Sequence, residues 1–358
     1  MKKVLEIKTI GDAKYHCTAG YFTDNKWIDN DTFVYMRSES PAIGNEHRDD
    51  RGESEFVKLS LKDNSEKVIM RDSVCGFCYV VLGDKLYYSD GKSLKAVDIN
   101  TKEVKTLYTN EDYYADDGNM KMVAPSITND GKFVSVFIVG KSGNTKAIVL
   151  NAETGEIRYS IEVGFARPFH NVTHVMICPT DPDLLYFCHE GTTEYVSNRM
   201  WLYNAKTGKK YNFAKQRLDE DGNLGDCFGH EMWEHNGKGM YFVKYPQSPI
   251  KPTGICHVDC ETGKIEVAAT GYRYWHVGVS GDGKYLMADT FEPDMNDKSK
   301  SEVVVVDLSD GSENVIDVAK KEEHPAHPHP QLSPNCDRVA YTSLDENNRV
   351  VLKSASLE

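Results

Sequence analysis

The stretch that decides the fold is Ser280-Gly281-Asp282-Gly283-Lys284-Tyr285-Leu286-Met287. It places a tight Asp-Gly turn before a short aromatic and aliphatic strand, which is the pattern of a β-hairpin. Similar turns, each followed by such a strand, lie near residues 30, 84, 130, 181, 236 and 335. The six intervals from the first turn to the last therefore average about 51 residues. Most units end in a second hairpin, as at Cys260-Glu261-Thr262-Gly263.

This period predicts the fold class. Short antiparallel strands repeating every ~40–50 residues are typical of β-propeller blades. Seven turns predict an all-β, seven-bladed β-propeller that forms one domain over residues 1–358. The last unit ends after Val350-Val351-Leu352-Lys353 without a fourth strand, and Val4-Leu5-Glu6-Ile7 precedes the first unit unpaired. We expect these two segments to pair, which closes the ring and removes both sheet edges.

Composition limits the partners and the location. The 358 residues carry a formal net charge of −13, which argues against nucleic acid and anionic membranes as partners. No apolar run approaches the ~18 residues of a membrane span, and the N-terminus does not resemble a secretory signal. Nine cysteines, an odd number, predict reduced thiols and a cytoplasmic location. An anionic ligand would have to be captured against this overall charge.

Histidines recur at one position of the repeat. Ten of the twelve lie between residues 170 and 329, and four stand six residues before the aligned turn residue: His174, His230, His276 and His329. The unit before them has Ala124 there. Because the first strand of a blade lines the central channel, we expect the four imidazoles to converge near one channel mouth. A polar residue inherited with the repeat explains one such histidine more simply, but not four in register.

The segment His324-Pro325-Ala326-His327-Pro328-His329 is the sharpest local signal. His327 and His329 are two residues apart, so an extended strand places them on one face. Converging imidazoles suit Mn, Fe, Co, Ni, Cu or Zn. The alternative interpretation is an exposed, weakly chelating tract.

Two further segments flank the histidine-bearing units. Phe187-Cys188-His189-Glu190-Gly191 precedes Arg199-Met200-Trp201, and Phe228-Gly229-His230-Glu231-Met232-Trp233 follows. By strand alternation Glu231 points away from His230, which favours a packing role for Glu231.

Together these segments resemble oligogalacturonate lyases, cytoplasmic seven-bladed propeller enzymes of pectin breakdown. The clear likeness covers roughly residues 165–345. It rests on Cys178-Pro179-Thr180-Asp181-Pro182, the two segments just quoted, His276 and the His327-Pro328-His329-Pro330 run.

The resemblance implies metal-dependent β-elimination on short oligogalacturonides. It implies a divalent metal, usually Mn²⁺ with Zn²⁺ or another transition metal possible, on His276, His327 and His329. His324 stands where the family has a glutamine, so a four-histidine site is expected. The family's catalytic histidine matches His230 and its catalytic arginine matches Arg199. We expect His174 and His189 to contact the substrate, a small acidic oligosaccharide.

Two other functions stay open. One is a non-enzymatic propeller of the TolB or WD type, for which turns such as Ser280–Lys284 are common. The other is a metal-dependent propeller hydrolase or lactonase. Those enzymes more often use carboxylate-rich calcium sites, to which the histidine register has no acidic counterpart.

Overall fold

The computed structural model describes residues 2–21, 26–40, 53–111, 121–139, 145–191, 195–322 and 324–358, with only the backbone of residues 121–124. Its regular elements in these ranges are β-strands. A search of the same ranges for a helix suited to crossing a membrane found none.

Seven sheets form the seven predicted blades. One combines the first strand of the chain with the last three, namely β1 (Val4–Ile10), β27 (Gln331–Leu332), β28 (Arg338–Leu344) and β29 (Val350–Leu357). Another contains β2 (His16–Thr18), β3 (Trp27–Asp29), β4 (Thr32–Ser38), β5 (Ser54–Ser60) and β6 (Glu66–Asp72). The next contains β7 (Tyr79–Leu82), β8 (Lys85–Ser89), β9 (Ser93–Asp98) and β10 (Val104–Thr109).

The other four sheets follow the chain order strictly. The first contains β11 (Lys121–Ile127), β12 (Phe133–Val139), β13 (Thr145–Asn151) and β14 (Ile157–Val163). The second contains β15 (Val172–Ile177), β16 (Leu184–His189), β17 (Met200–Asn204) and β18 (Lys209–Ala214), and the third contains β19 (Phe228–Trp233), β20 (Gly239–Lys244), β21 (Gly254–Asp259) and β22 (Ile265–Ala269). The fourth contains β23 (Tyr274–Val279), β24 (Tyr285–Thr290), β25 (Lys300–Asp307) and β26 (Ser312–Lys320).

The chain divides into two compact units. One comprises Met1–Leu86, Val97–Val104 and Gly271–Glu358, and the other comprises Tyr87–Ala96 and Lys105–Thr270. The first contains the sheets β2–β6, β23–β26 and β27–β29 with β1, and the second contains the three sheets from β11 to β22. The sheet β7–β10 is shared out between them. A single domain over residues 1–358 stays a prediction.

The predicted closure of the ring is confirmed. β1 pairs antiparallel with β29, from Val4 opposite Leu357 to Ile10 opposite Leu352. Beyond the strands, Lys3 and Glu358 exchange two backbone hydrogen bonds of 3.0 and 2.9 Å. Ile10 and Leu352 then pack in one buried apolar cluster, so the closing strand is held by side chains as well as by its backbone.

The second strand of each sheet explains the aromatic signal in the sequence. All six residues of β20 are buried, as are four of the six in β16. A strand covered on both faces needs apolar residues at every position rather than at alternate ones. Outer strands such as β18, which begins with three exposed residues, keep a polar face.

The turns between first and second strands repeat in detail. The backbone N–H of Gly283 donates to the carbonyl of Ser280 over 2.9 Å, and that of Cys336 donates to Ser333 over the same distance. Gly283 has φ 70° and Cys336 has φ 58°. The left-handed residue that this turn requires is therefore usually glycine, with a cysteine taking its place in the last blade.

Replacing Leu352 with alanine tests the packing of the closure. Leu352 is fully buried, so Leu352→Ala should lower the free energy of unfolding by about 2–5 kcal/mol. The measurement is the midpoint of thermal and denaturant unfolding. Leu5→Ala is the matched control, because Leu5 lies on the same sheet but is 58% exposed. Equal effects of the two substitutions would contradict the assigned closure.

Candidate functional site

Shifts in strand pairing redirect the side chains of the register histidines, which are His174, His230, His276 and His329. The pairing of β15 with β16 shifts between Thr173 and Met176, and that of β19 with β20 shifts between Gly229 and Met232. His174 and His230, which lie in these bulges, have φ of 50° and 48°, and His329 has φ 40°. A β-bulge redirects the side chains of its strand, and non-glycine residues rarely adopt this left-handed conformation. Three of the four register histidines thus share this conformation, and the fourth, His276, lies at a shift in the pairing of β23 with β24 without a positive φ.

The first group of candidate residues is the histidine cluster: His276, His324, His327 and His329. One ring nitrogen of each lies within 4.8 Å of the others, and all but His324 are buried. The ring centroids of His324 and His327 are 3.9 Å apart, and those of His276 and His329 are 4.5 Å apart. The structure thus brings together the four residues predicted as metal ligands. The backbone from His327 to His329 is not an extended strand. The two rings are therefore brought together by the segment before β27 rather than by a shared strand face.

Asp289 fixes two members of this cluster. Its Oδ1 accepts hydrogen bonds from Nδ1 and the backbone N–H of His276, at 2.7 and 3.1 Å. Its Oδ2 accepts the backbone N–H of His329 at 3.0 Å. A carboxylate on one ring nitrogen sets the tautomer and leaves the other nitrogen as a metal ligand. His276 is therefore arranged to bind through Nε2.

The chemistry of the cluster fits a transition metal. Burial and the neighbouring rings of His324 and His276 lower the pKa of the His327 imidazole far below its usual range, so His327 is neutral, as a ligand must be. Its Nδ1 is buried and has no hydrogen-bond partner among the described residues. Four nitrogen donors with a carboxylate behind one of them form a donor set suited to Mn, Fe, Co, Ni, Cu or Zn.

Aromatic rings enclose the histidine cluster. Trp275 stacks on His276 with the centroids 5.0 Å apart and lies 4.2 Å from the ring of His327. Phe77 stacks on His324 at 5.1 Å, and Tyr21 meets His329 edge-on at 4.9 Å. These rings restrict the rotamers of the histidines, which keeps their nitrogens close together.

The second group is the arginine network: Arg199, Glu190, Glu231 and His174. Arg199 donates from Nε to Glu231 over 2.5 Å and from Nη1 to Glu190 over 2.8 Å. The other oxygen of Glu231 meets Nδ1 of His174 at 2.9 Å. The backbone N–H of Arg199 is held by the Gln216 side chain over 2.8 Å. Arg199 is thus a doubly paired cation whose side chain is only 11% exposed, rather than a solvated surface charge.

Both carboxylates of the network stay ionised. Burial alone would raise the pKa of Glu190, but the charge and hydrogen bond of Arg199 lower it to about 2. Burial also opposes ionisation of Glu231, yet Arg199 and then His174 hold the pKa of this carboxyl well below its usual range. The pKa of the Cys188 thiol is raised by burial, so Cys188 stays a neutral neighbour of the network.

The expected packing role of Glu231 is wrong. Strand alternation placed it away from His230, but the bulge in β19 breaks that alternation. The ring of His230 lies 6.1 Å from that of His174, nearly perpendicular to it, while Glu231 bonds to the same His174. His230 itself is 1% exposed. Both neighbours on β19 therefore face one histidine of β15.

Gly229 makes room for a further polar residue beside β19. A Cβ at this position would lie 2.3 Å from the hydroxyl of Tyr245, so only glycine allows this approach. Burial raises the pKa of the Tyr245 phenol, and the charges of Arg199 and Glu231 act on it next. Tyr245 therefore lies beside the network as a neutral phenol.

The ring of His189 is held by its own contacts, while its backbone N–H donates to the carbonyl of Arg199 over 2.8 Å. Its Nε2 lies 2.6 Å from the carbonyl oxygen of Phe169, and its ring stacks on Phe165 at 3.6 Å. Burial lowers the pKa of His189. A substrate contact through His189 stays a prediction, as does the convergence of the four register histidines at one channel mouth.

Sequence reasoning missed Asp289, Glu190 and Tyr245. A signal existed for Asp289, which is a charged residue at the end of the apolar strand Tyr285–Thr290. Glu190 stands in the segment that also carries His189. For Tyr245 the only local sign was a glycine before His230.

Fold and side chains define a class: a seven-bladed β-propeller that presents a candidate transition-metal centre and an arginine network in which Glu231 is wholly buried. No known family model matches the chain. It is 25% identical over 293 residues to the oligogalacturonide lyase of Pectobacterium atrosepticum, covering 73% of this chain and 71% of the relative. It is 23% identical over 291 residues to the oligogalacturonate lyase of Dickeya dadantii, with the same coverage.

A solved structure shares the fold. An oligogalacturonate lyase in complex with manganese matches with a TM-score of 0.77 at 18% identity, covering 100% of this chain and 98% of that one. The resemblance predicted from the sequence is thus confirmed by relatives along most of the chain and by the fold along all of it.

Asp289→Asn tests the metal centre. Removing the charge behind His276 should weaken the binding of Mn²⁺ or Zn²⁺ about 10–100-fold, measured by titration calorimetry on purified protein. Asp294→Asn, on an exposed turn, is the control and should bind as the unaltered chain does. Unchanged affinity in a folded Asp289→Asn variant would contradict the assignment.

The arginine network predicts a dependence of stability on acid. Because the pKa of Glu190 lies at about 2 instead of 4.5, its carboxylate stabilises the fold fully above about pH 4.5 and loses this effect as the pH falls toward 2. Thermal unfolding should therefore show Glu190→Gln less stable than the unaltered chain at pH 7, with the difference shrinking below pH 4.5. Glu156→Gln, on an exposed hairpin, serves as the control. A difference that stays constant across this range would refute the pairing with Arg199.

Proposed function

We propose that the protein is a metal-dependent lyase that cleaves short oligogalacturonides by β-elimination to 4,5-unsaturated uronate products. The observation that carries the proposal is the histidine cluster, in which four ring nitrogens lie within 4.8 Å of one another. The similarity to oligogalacturonate lyases over 73% of the chain supports the substrate class.

His276, His324, His327 and His329 would hold the metal, with Mn²⁺ the first choice and Zn²⁺ or another transition metal the next. When bound, a divalent cation neutralises a uronate carboxylate and makes the neighbouring C5 proton more acidic. Asp289 orients His276 toward this task, and the aromatic rings of Trp275 and Phe77 stack on His276 and His324.

His230 is the proposed base. β-Elimination breaks the C5–H bond, and a neutral imidazole accepts a proton readily near neutral pH. His230 lies on a bulge that re-aims its side chain, and its burial keeps the ring in one orientation.

Arg199 is proposed to bind a substrate carboxylate or to stabilise the negative charge that develops during elimination. A guanidinium stays protonated and donates in a fixed fork. Glu231 and Glu190 occupy Nε and Nη1. Among the described residues Nη2 faces no carboxylate, and it is the end that we assign to the substrate.

The remaining assignments are proposals on the same footing. His189 contacts the sugar chain, the partner is a small acidic oligosaccharide rather than nucleic acid or a membrane, and the protein acts in the cytoplasm. The last point is supported by its nine cysteines, all of them free thiols.

Ultraviolet absorbance of the unsaturated product tests the proposal. Digalacturonate and trigalacturonate should yield this absorbance with the metal-loaded protein. Removal of the metal by a chelator should abolish it, and added Mn²⁺ should restore it. His230→Ala should lower the rate about 100-fold or more, while His235→Ala, at an exposed position, should leave it unchanged.

Two results would overturn parts of this proposal. Full activity without metal, or with His230→Ala, would refute the mechanism. Tight metal binding with no activity on any uronate would refute the function and point to the hydrolase or lactonase alternative, whereas a chain that binds no metal would point to an interaction module.

A further inference from the structure

The proposed elimination leaves one proton unassigned. When the C4–O bond breaks, the departing sugar oxygen is a poor leaving group unless it is protonated. The base His230 takes the C5 proton, so a second group must supply one.

His174 has the contacts of a proton donor. Its Nδ1 meets the Glu231 carboxylate at 2.9 Å, and Glu231 is wholly buried. A carboxylate on one nitrogen of an imidazole orients the ring and stabilises the positive charge that the ring carries when both nitrogens are protonated. The opposite nitrogen, Nε2, is then the one that can transfer a proton.

The carboxylate behind His174 is held firmly. Arg199 binds the other oxygen of Glu231 at 2.5 Å, and Glu190 and Gln216 hold Arg199 in turn. Glu231 therefore cannot rotate away, and His174 is fixed through two successive pairs. A donor kept within a narrow range of positions loses little entropy when it meets the leaving oxygen.

The surroundings of His174 and His230 suit them to two different roles. The rings of His174 and His230 stand 6.1 Å apart and nearly perpendicular. His174 is 8% exposed against 1% for His230, and the ring of His174 bonds to the Glu231 carboxylate. Two imidazoles at this spacing can serve two proton transfers of one elimination.

We propose that His174 is the general acid that protonates the C4 leaving oxygen in the elimination, an inference that rests on the proposed lyase function. The C5–H bond breaks and its proton goes to His230. The electron pair forms the C4=C5 double bond, and the C4–O bond breaks as the oxygen takes the Nε2 proton of His174. Water then returns a proton to His174 and removes one from His230, so no oxidant or other reactant is needed.

A change of leaving group tests this role. The unaltered chain, His174→Ala, His230→Ala and the exposed control His235→Ala are assayed on digalacturonate and on a galacturonate that carries 4-nitrophenolate at C4. The nitrophenolate leaves without protonation. His174→Ala should lose about 100–10,000-fold in kcat on digalacturonate and less than about tenfold on the aryl ether. His230→Ala should lose heavily on both.

The outcomes are distinct. If the unaltered chain cleaves neither substrate, the lyase function fails and this inference with it. If the unaltered chain is active and His174→Ala loses equally on both substrates, with its fold and metal content intact, His174 is not the acid although the lyase function stands. If Tyr245→Phe, and not His174→Ala, shows the dependence on the leaving group, the acid is Tyr245 and the inference is wrong.

Glu231→Gln, assayed on the same two substrates, should reproduce a weaker form of the His174→Ala pattern, because it keeps the hydrogen bond to His174 but removes the charge.

Discussion

A left-handed backbone at three of the four register histidines is the constraint on which both groups of site residues depend. His174, His230 and His329 adopt φ between 40° and 50°, at a cost of about 1–3 kcal/mol each. The rest of each sheet supplies the stability that keeps this conformation. Because of this conformation, side chains that strict strand alternation would place on opposite faces contact the same residue: Glu231 and His230 both lie against His174. On regular strands, neither the histidine cluster nor the arginine network would assemble as it does.

The histidine cluster and the arginine network differ in the charges that they carry. Overall the chain is acidic, at −13, and the arginine network does not offset this, because two ionised glutamates accompany one arginine. Within the histidine cluster, burial and the neighbouring rings keep the His327 imidazole neutral. In the proposed lyase, a bound cation would add to the positive charge that Arg199 offers an anionic sugar, and its field would act within a Debye length of about 8 Å. The acidic surface favours solubility, and the proposed metal dependence follows from this local balance of charge.

Much of the fold and part of the site could be predicted from the sequence, for physical reasons. Turns such as Ser280–Lys284 are local, so their period predicted seven blades. The unpaired N-terminal strand and the missing fourth strand of the last unit predicted the closure. His327 and His329 could be matched because they are near in sequence. The contacts of Asp289, Glu190 and Glu231 could not be predicted, since their partners lie elsewhere along the chain. The bulges that redirect side chains such as His174 and His230 also have no recognisable sequence pattern. The extra strand β3 in the first blade likewise follows from pairing with β4 rather than from any repeat.

The uneven burial of the histidine cluster has a kinetic consequence. Three of its rings are buried and held by Asp289 or by aromatic neighbours, whereas His324 is exposed. Phe77 stacks on the His324 ring with the centroids 5.1 Å apart, so this donor is exposed to solvent but is not unrestrained. At the proposed metal centre, an ion would therefore reach or leave the three buried donors from the side on which His324 meets solvent.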